Sequence, residues 1–355
     1  MPRIGVIGYG YWGPNIVRNL RDSRHAELAG IAEMSRERHD EIRMFAPGVE
    51  VVDDHRRLIE SDLDALVIAT PIHTHYALAR EALEAGKHVL IEKPMAASIH
   101  EAAELVRLAS VVSRTLMVGH TFMYNPAVTE LARMVRAGEL GRIYHIDTAR
   151  LNLGLFQRRS DVIWDLAPHD ISILMHVLGR PPALVSARGS TCIQSEVHDV
   201  AYLELIHDDG LAAEVHVSWL DPTKVRRVTV VGDRRMAVFN DVAPQEKLRI
   251  YDLGVNFEPG EAWPSYRFGP VTIPPITWQE PLLIEVEHFS DCIRYGRKPL
   301  SDGQQGMMVV ATLEAASVSL AAGGEKIPVT VPMTGGDLAK LGVNGHTWTS
   351  SPIQA

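Results

Sequence analysis

The stretch Arg3-Ile4-Gly5-Val6-Ile7-Gly8-Tyr9-Gly10-Tyr11-Trp12-Gly13-Pro14 decides the fold. Residues 3–7 form a short apolar run of strand character, and residues 14–20 carry Ile16, Val17 and Leu20 at helical spacing. Between them lies Gly-x-Gly-x-x-Gly, a weak signal on its own because glycine is common. The strand before it and the helix after it give it meaning. Gly8 permits a tight turn, Gly10 lets the backbone approach a pyrophosphate, and Gly13 allows close packing of helix on strand. Pro14 suits a first helical turn, and the free amides around Tyr11, Trp12 and Gly13 favour bound phosphates.

Outward from this loop, the first 120 residues alternate strands with helices. Residues 27–32, 49–52, 65–69, 88–91 and 115–118 read as strands, and 65–69 is apolar throughout, as a strand covered on both faces should be. Residues 76–85 read as a helix closed by Gly86. Ser98-Ile99-His100-Glu101 matches a capping box ahead of a helix running to Val112. This alternation predicts parallel strands joined by crossover helices, an α/β dinucleotide-binding (Rossmann) domain over residues 1–122. Glu33 stands twenty residues after Gly13, where a carboxylate accepts hydrogen bonds from an adenosine ribose and repels a 2′-phosphate. NAD is therefore expected rather than NADP, although Ser35, Arg36 and Arg38 offer phosphate donors close by.

From about residue 140 the pattern changes. Residues 143–149, 184–189, 201–207, 211–219 and 226–231 read as strands, with Asp208-Asp209-Gly210 as a hairpin turn. This predicts a second α/β domain over residues 123–332, built on a mixed, largely antiparallel sheet. Residues 244–280 lack periodicity and read as long loops. Residues 282–295 and 306–322 are helical again, and the Gly-, Thr- and Ser-rich tail at 333–355 is expected to be loosely ordered or used in assembly.

Composition narrows the class. A length of 355 residues suits roughly two domains of about 150 residues each. The net charge of −9, without a basic tract, argues against nucleic-acid binding. Cys192 and Cys292 have no ligand-like spacing, so neither a disulfide framework nor a cysteine metal site is expected, and a reducing cytoplasm is the simplest compartment. No apolar run is long enough for a membrane span, and the N-terminus does not read as a signal peptide.

Two clusters carry chemistry. Glu92-Lys93-Pro94 follows the strand at 88–91, and ligands of open parallel sheets bind beyond the carboxyl ends of strands. A lysine there can hold an alcohol or carbonyl oxygen and stabilise alkoxide character during hydride transfer. Thr70, Pro71 and His75 follow the neighbouring strand end. The second cluster is Asp165-Leu166-Ala167-Pro168-His169-Asp170. Pro168 suits a first helical turn, which places His169 near a helix N-terminus. At a spacing of four, Asp165 and His169 share a helical face, and the imidazole can take the proton an alcohol loses on oxidation. A helix-capping aspartate beside a structural histidine fits the same residues.

Together these residues give the chain its likeness to a known family. It resembles the Gfo/Idh/MocA oxidoreductases, which include glucose–fructose oxidoreductase and inositol 2-dehydrogenase, and the resemblance covers nearly the whole chain. Its most specific marks are Ala69-Thr70-Pro71 with His75, Glu92-Lys93-Pro94, and Asp165 with His169. The resemblance implies that Lys93 contacts the reacting oxygen and the nicotinamide end of the cofactor. It implies that Asp165 and His169 line the substrate site, with His169 as acid/base. It also implies pairing of one sheet face with another subunit, in a homodimer or homotetramer. The version Trp164-Asp165-Leu166-Ala167-Pro168-His169-Asp170 resembles the branch acting on nucleotide-linked or antibiotic sugars, commonly at carbon 3 of a pyranose. Many members carry a basic residue near Met123-Tyr124, and this chain does not, which leaves Tyr124 as the side chain at that substrate position. Asn152, Arg158 and Arg159 precede the second cluster and can meet a sugar hydroxyl or a phosphate. The function expected is hydride transfer between a nicotinamide cofactor and a secondary alcohol or ketone of a sugar or cyclitol. The alternatives are a cofactor-binding regulator without turnover and a non-redox enzyme that uses bound NAD transiently.

Overall fold

The computed structural model of the chain describes residues 1–157, 160–257 and 262–332. Its first sheet comprises β1 (Arg3–Ile7), β2 (Glu27–Ala32), β3 (Glu50–Val52), β4 (Ala65–Ile68), β5 (His88–Glu92) and β6 (Leu116–Gly119). All pair in parallel, in the order β3-β2-β1-β4-β5-β6. The crossover helices are α1 (Gly13–Asp22), α2 (His39–Phe45), α3 (Arg56–Ile59), α4 (Ile72–Glu84) and α5 (Ile99–Val111). β4 is apolar throughout because it lies mid-sheet and is buried over its whole length. The strand order reverses between β1 and β4, and that reversal opens a crevice at the carboxyl ends where the glycine loop stands. Ser98 caps α5 by accepting from the Glu101 amide at 3.2 Å, while the Glu101 carboxylate takes the Ala97 amide at 3.1 Å. α4 begins four residues earlier than its apolar pattern predicts, because polar His73 and Thr74 occupy its first turn.

The second half adds α6 (Pro126–Arg136), β7 (Ile143–Leu151), α7 (Val162–Leu178), β8 (Leu184–Ser190), β9 (Val200–Ile206), β10 (Ala212–Ser218), β11 (Val225–Gly232), β12 (Met236–Asn240), β13 (Leu248–Asn256), β14 (Ser265–Thr272), α8 (Pro281–Tyr295), α9 (Gly303–Ala321) and β15 (Ile327–Pro328). Among the described residues the strands form one nine-stranded sheet, ordered β14-β13-β12-β11-β7-β10-β9-β8-β15. Only β7 and β10 pair in parallel, so the sheet is mixed and largely antiparallel.

Two expectations need correction. Residues 244–280 are not all loop, since β13 and β14 run through them. β14 is an edge strand exposed along nearly its whole length, and β13 shifts register between Tyr251 and Leu253, so neither shows clean alternation. The helix bearing the second cluster starts at Val162, with the Asp161 carboxylate accepting from the Trp164 amide at 3.0 Å. Pro168 therefore lies inside α7, not in its first turn, and His169 sits two turns deep. The tail at 333–355 lies outside the described residues.

The last helices return to the first sheet. Leu282, Val286 and Phe289 of α8 share a core cluster with Ile4, Val6 and Ile16. Arg18 of α1 donates to both Glu280 carboxylate oxygens, at 2.8 and 2.6 Å. The Val118 amide donates to the Ser301 carbonyl at 2.8 Å. These contacts anchor α8 and the segment before α9 to the first sheet and α1. No described helix is long and apolar enough to cross a membrane.

Candidate active site

The glycine loop is shaped as a phosphate cradle. Gly8 has φ +99°, and a Cβ there would lie 2.7 Å from the Ala69 carbonyl oxygen. A Cβ on Gly13 would lie 2.5 Å from the Gly8 oxygen, the close helix–strand contact that the motif requires. Gly10 is different: a Cβ there would meet nothing within 4 Å, so its surface stays open to a ligand. Tyr11 is well exposed beside it, and Trp12 stands at the N-cap of α1 without a side-chain capping bond. Glu33 is held at the end of β2 by the Tyr9 amide at 2.8 Å and the Ser35 amide at 2.9 Å. Its carboxylate is thus fixed beside the loop with acceptor capacity to spare. Arg36 is engaged with Asp53 at 2.5 Å, and Arg38 donates to the Tyr9 carbonyl at 2.7 Å. Open glycine surface, free helix amides and a positioned carboxylate fit a dinucleotide.

The end of β4 carries Thr70 and Pro71, where the Thr74 hydroxyl donates to Thr70 Oγ1 at 2.6 Å. His75 departs from its expected cofactor contact. Its buried ring nitrogens face the backbone carbonyls of Pro94, at 2.8 Å, and Thr70, at 2.7 Å. The ring is spent joining the loop after β4 to the loop after β5, and has no nitrogen left for a ligand.

Lys93, Asp165 and His169 come together across the crevice. Lys93 Nζ donates to the Asp165 main-chain carbonyl at 2.8 Å and lies 3.8 Å from Asp165 Oδ1. Burial pulls the Lys93 pKa down, and the carboxylates of Asp165 and Glu92 oppose it. Asp165 Oδ2 accepts from Trp219 Nε1 at 2.9 Å, just beyond β10. No hydrogen bond joins Asp165 to His169 among the described residues, so the carboxylate braces Lys93 and Trp219 and does not bond the imidazole. His169 Nδ1 is buried without a partner among the described residues. Burial and the cations Lys93, Arg150 and Arg226 hold this histidine well below the usual imidazole range, so it stays neutral.

Around this trio stand groups that sequence reading missed. Phe122 meets the His169 ring edge-on with centroids 5.2 Å apart. The Arg150 guanidinium lies 4.4 Å from the Phe122 centroid and forms a buried pair with Asp170 at 2.5 and 3.3 Å. Arg226 lies 5.7 Å from the same ring and pairs with Asp241 at 3.2 Å. His120 is buried beside Lys93. His120 and Phe122 follow β6, so the strand-end rule that selects Lys93 would also have selected them. Arg150 and Trp219 carry no local signal, because strand register alone brings them here.

Glu92, one residue before Lys93, is pushed up to about 7 by burial, against the pull of the lysine. Glu285 of α8 is buried behind it, accepts from Thr121 Oγ1 at 2.6 Å, and is likewise held well above the carboxylate range by burial and the Glu92 charge. Two proposed substrate contacts fall elsewhere or close by. Tyr124 is buried, with its hydroxyl 2.8 Å from Ser301 Oγ, and belongs to the seam between the halves, not to the substrate site. Asn152 stands at the end of β7 next to Gly154 and Trp219, the ring that braces Asp165. Arg158 and Arg159 lie outside the described residues.

A glycine cradle at a sheet reversal, with a lysine, a carboxylate and a neutral imidazole beyond the neighbouring strand end, defines the class as a dinucleotide-linked oxidoreductase. Comparison with known proteins agrees. The oxidoreductase family with an NAD-binding Rossmann fold matches residues 2–120, and the C-terminal domain of the same GFO/IDH/MocA family matches residues 128–238. The chain belongs to the Gfo/Idh/MocA oxidoreductases, a family of NAD-binding Rossmann proteins. It is 29% identical to a UDP-N-acetylglucosamine 3-dehydrogenase from Acidithiobacillus ferrooxidans, over 87% of this chain and 94% of that protein. It is 26% identical to an NAD-dependent scyllo-inositol 2-dehydrogenase from Bacillus subtilis, over 84% of this chain and 88% of that one. A solved structure of the Acidithiobacillus enzyme superposes with a TM-score of 0.76 at 27% identity, covering 90% of this chain and 98% of that one.

Proposed function

We propose that the protein oxidises a secondary alcohol, or reduces the matching ketone, on a sugar or cyclitol ring. The observation that carries this reading is Lys93 Nζ, held beyond the carboxyl end of β5 against Asp165, at 2.8 Å from its carbonyl and 3.8 Å from its carboxylate. NAD, when bound along Gly8, Gly10, Gly13 and Glu33, supplies the hydride acceptor. Lys93 donates a charged hydrogen bond to the reacting oxygen and stabilises its alkoxide character. With Nδ1 buried, His169 Nε2 is the nitrogen left to take the hydroxyl proton. Asp165, fixed by Trp219, keeps Lys93 aimed and accepts from a neighbouring hydroxyl. Phe122, edge-on to the imidazole and covered by the Arg150–Asp170 pair, packs that ring in place.

The finer reading is carbon 3 of a nucleotide-linked pyranose, supported by the likeness to the UDP-N-acetylglucosamine enzyme over most of both chains. In this reading residues 1–122 serve the cofactor and residues 123–332 the substrate and subunit contacts. The large sheet has helices α7 and α9 on one face, while Tyr202 and His216 stack at 4.2 Å on the other. That second face, with exposed Tyr266 and Phe268 of β14, is the proposed homo-oligomer contact. The test is a panel of inositols, free sugars and nucleotide-linked sugars offered with NAD, and of keto sugars offered with NADH, with products read by mass spectrometry. A keto product with matching NADH supports the reading. Product formed without net change in cofactor would replace it with transient internal redox, and bound NAD without turnover of any member would favour a regulator.

A further inference from the structure

Among the described residues, His120 has no hydrogen-bond partner for either ring nitrogen. It follows β6 directly and is 1% exposed, and both Nδ1 and Nε2 are buried without a hydrogen bond. The backbone around it is firmly held: its amide donates to Val118 O at 2.7 Å, and its carbonyl accepts from the Met123 amide at 2.8 Å. Other buried histidines keep at least one ring contact. His176 Nδ1 lies 3.4 Å from Arg136, and His207 Nδ1 lies 3.0 Å from the Pro181 carbonyl. An orphaned buried polar atom carries an uncompensated desolvation cost, which phenylalanine at this position would avoid.

The surroundings show where partners would come from. Lys93 lies close enough for its charge to depress His120, and His120 in turn weighs on His169, whose own Nδ1 is orphaned. Glu92 of β5 pairs with Gly119 of β6, so Lys93 and His120 follow neighbouring strands and stand side by side at their carboxyl ends. Burial and Lys93 together push His120 down to about 3, so the ring is neutral and offers one N–H donor and one acceptor. Phe122, two residues on, closes the same wall against His169.

We propose that His120 is a binding residue for the reacting end of the ligand pair, bonding a group beside the reacting carbon that can both donate and accept. Two groups have that chemistry: the carboxamide of the nicotinamide, and a ring hydroxyl next to the one held by Lys93. This inference rests on the nicotinamide-linked alcohol chemistry proposed above.

The test compares His120→Phe, which keeps the ring shape without nitrogens, with His120→Asn, which restores a donor and an acceptor. Without ligand, the Phe variant is expected to melt at or above the wild-type temperature, since it removes two orphaned atoms. It is also expected to lose about tenfold or more in binding, which is the loss of about 1.4 kcal/mol, and the Asn variant recovers part of it. A loss seen in titration with NADH alone assigns the carboxamide. A loss confined to kcat/KM, with NADH affinity intact, assigns the hydroxyl. Wild-type binding and turnover in the Phe variant would overturn the proposal. Should that variant fail to fold, nitrogen-15 NMR of the wild-type imidazoles decides: His120 signals shift on adding NADH or NADH with substrate, and unmoved signals overturn the assignment. Failure of the wild type itself to bind NADH would overturn the parent reading, and is seen before any variant is compared.

Discussion

Glu33 shows what a single residue can settle and what it cannot. Its place twenty residues after Gly13 marks it as a ribose acceptor, but its two backbone donors, Tyr9 and Ser35, are visible only once the loop is folded. Glu33→Ala should weaken NAD by about tenfold or more, with a smaller change for NADP, because the repulsion of a 2′-phosphate goes with the carboxylate. Parallel titrations of both cofactors check this, and an unaltered preference would refute the role. Trp219→Phe removes the donor to Asp165 Oδ2 while keeping an aromatic ring. The expected result is a fall in kcat of about tenfold, the scale of one hydrogen bond to a charged group, with NADH affinity unchanged. Equal losses in both would point to general damage. Lys93 and the Asp165–His169 spacing were legible because strand ends and helical periodicity are local properties. The His75 contact with Pro94, the burial of Tyr124 against Ser301 and the arrival of Arg150 over Phe122 were not, because each depends on a partner outside its own element.

At the scale of elements, the glycine loop separates folding from binding. Gly13→Ala would press a methyl to 2.5 Å from the Gly8 backbone oxygen, whereas Gly10→Ala would meet no atom within 4 Å. Thermal melting should therefore show Gly13→Ala clearly destabilised, by roughly 1–3 kcal/mol or more. Gly10→Ala should melt as wild type and yet bind NAD about tenfold or more weakly, because its methyl fills space reserved for the pyrophosphate. A Gly10→Ala protein with intact NAD affinity would contradict the cradle. In the first sheet β4 and β6 are legible because they are buried over their whole length and therefore continuously apolar. β13 and β14 escaped because one shifts register and the other lies exposed at an edge, so burial never imposed a period of two on them. α7 was read short, since Pro168 resembles a helix start when its structural surroundings are unknown.

In the whole molecule, α8 carries Glu285 from the C-terminal part of the chain to the back of Glu92, closing the crevice from behind. A carboxyl raised from its ordinary 4.5 to about 7 binds its proton more tightly folded than unfolded. Its contribution to stability is complete below about pH 4.5 and is lost as pH rises through about 7. Glu92→Gln should therefore melt closer to, or above, wild type at about pH 8 than at about pH 5, with some slope left by Glu285. Identical pH dependence in the two proteins would contradict the assignment. The exposed aromatic face of the large sheet belongs to this scale too. Phe268→Asp should shift the species seen by light scattering toward monomer, and an unchanged mass would place the contact elsewhere. In the function proposed, both halves of the chain build one hydride-transfer site around Lys93. Its most direct measurement is the rate of NAD reduction with the best sugar substrate, for wild type and Lys93→Ala, with NADH affinity titrated on the same samples. Turnover is expected to fall about 10²–10⁴-fold with NADH affinity nearly unchanged. Turnover that survives the substitution would contradict that function.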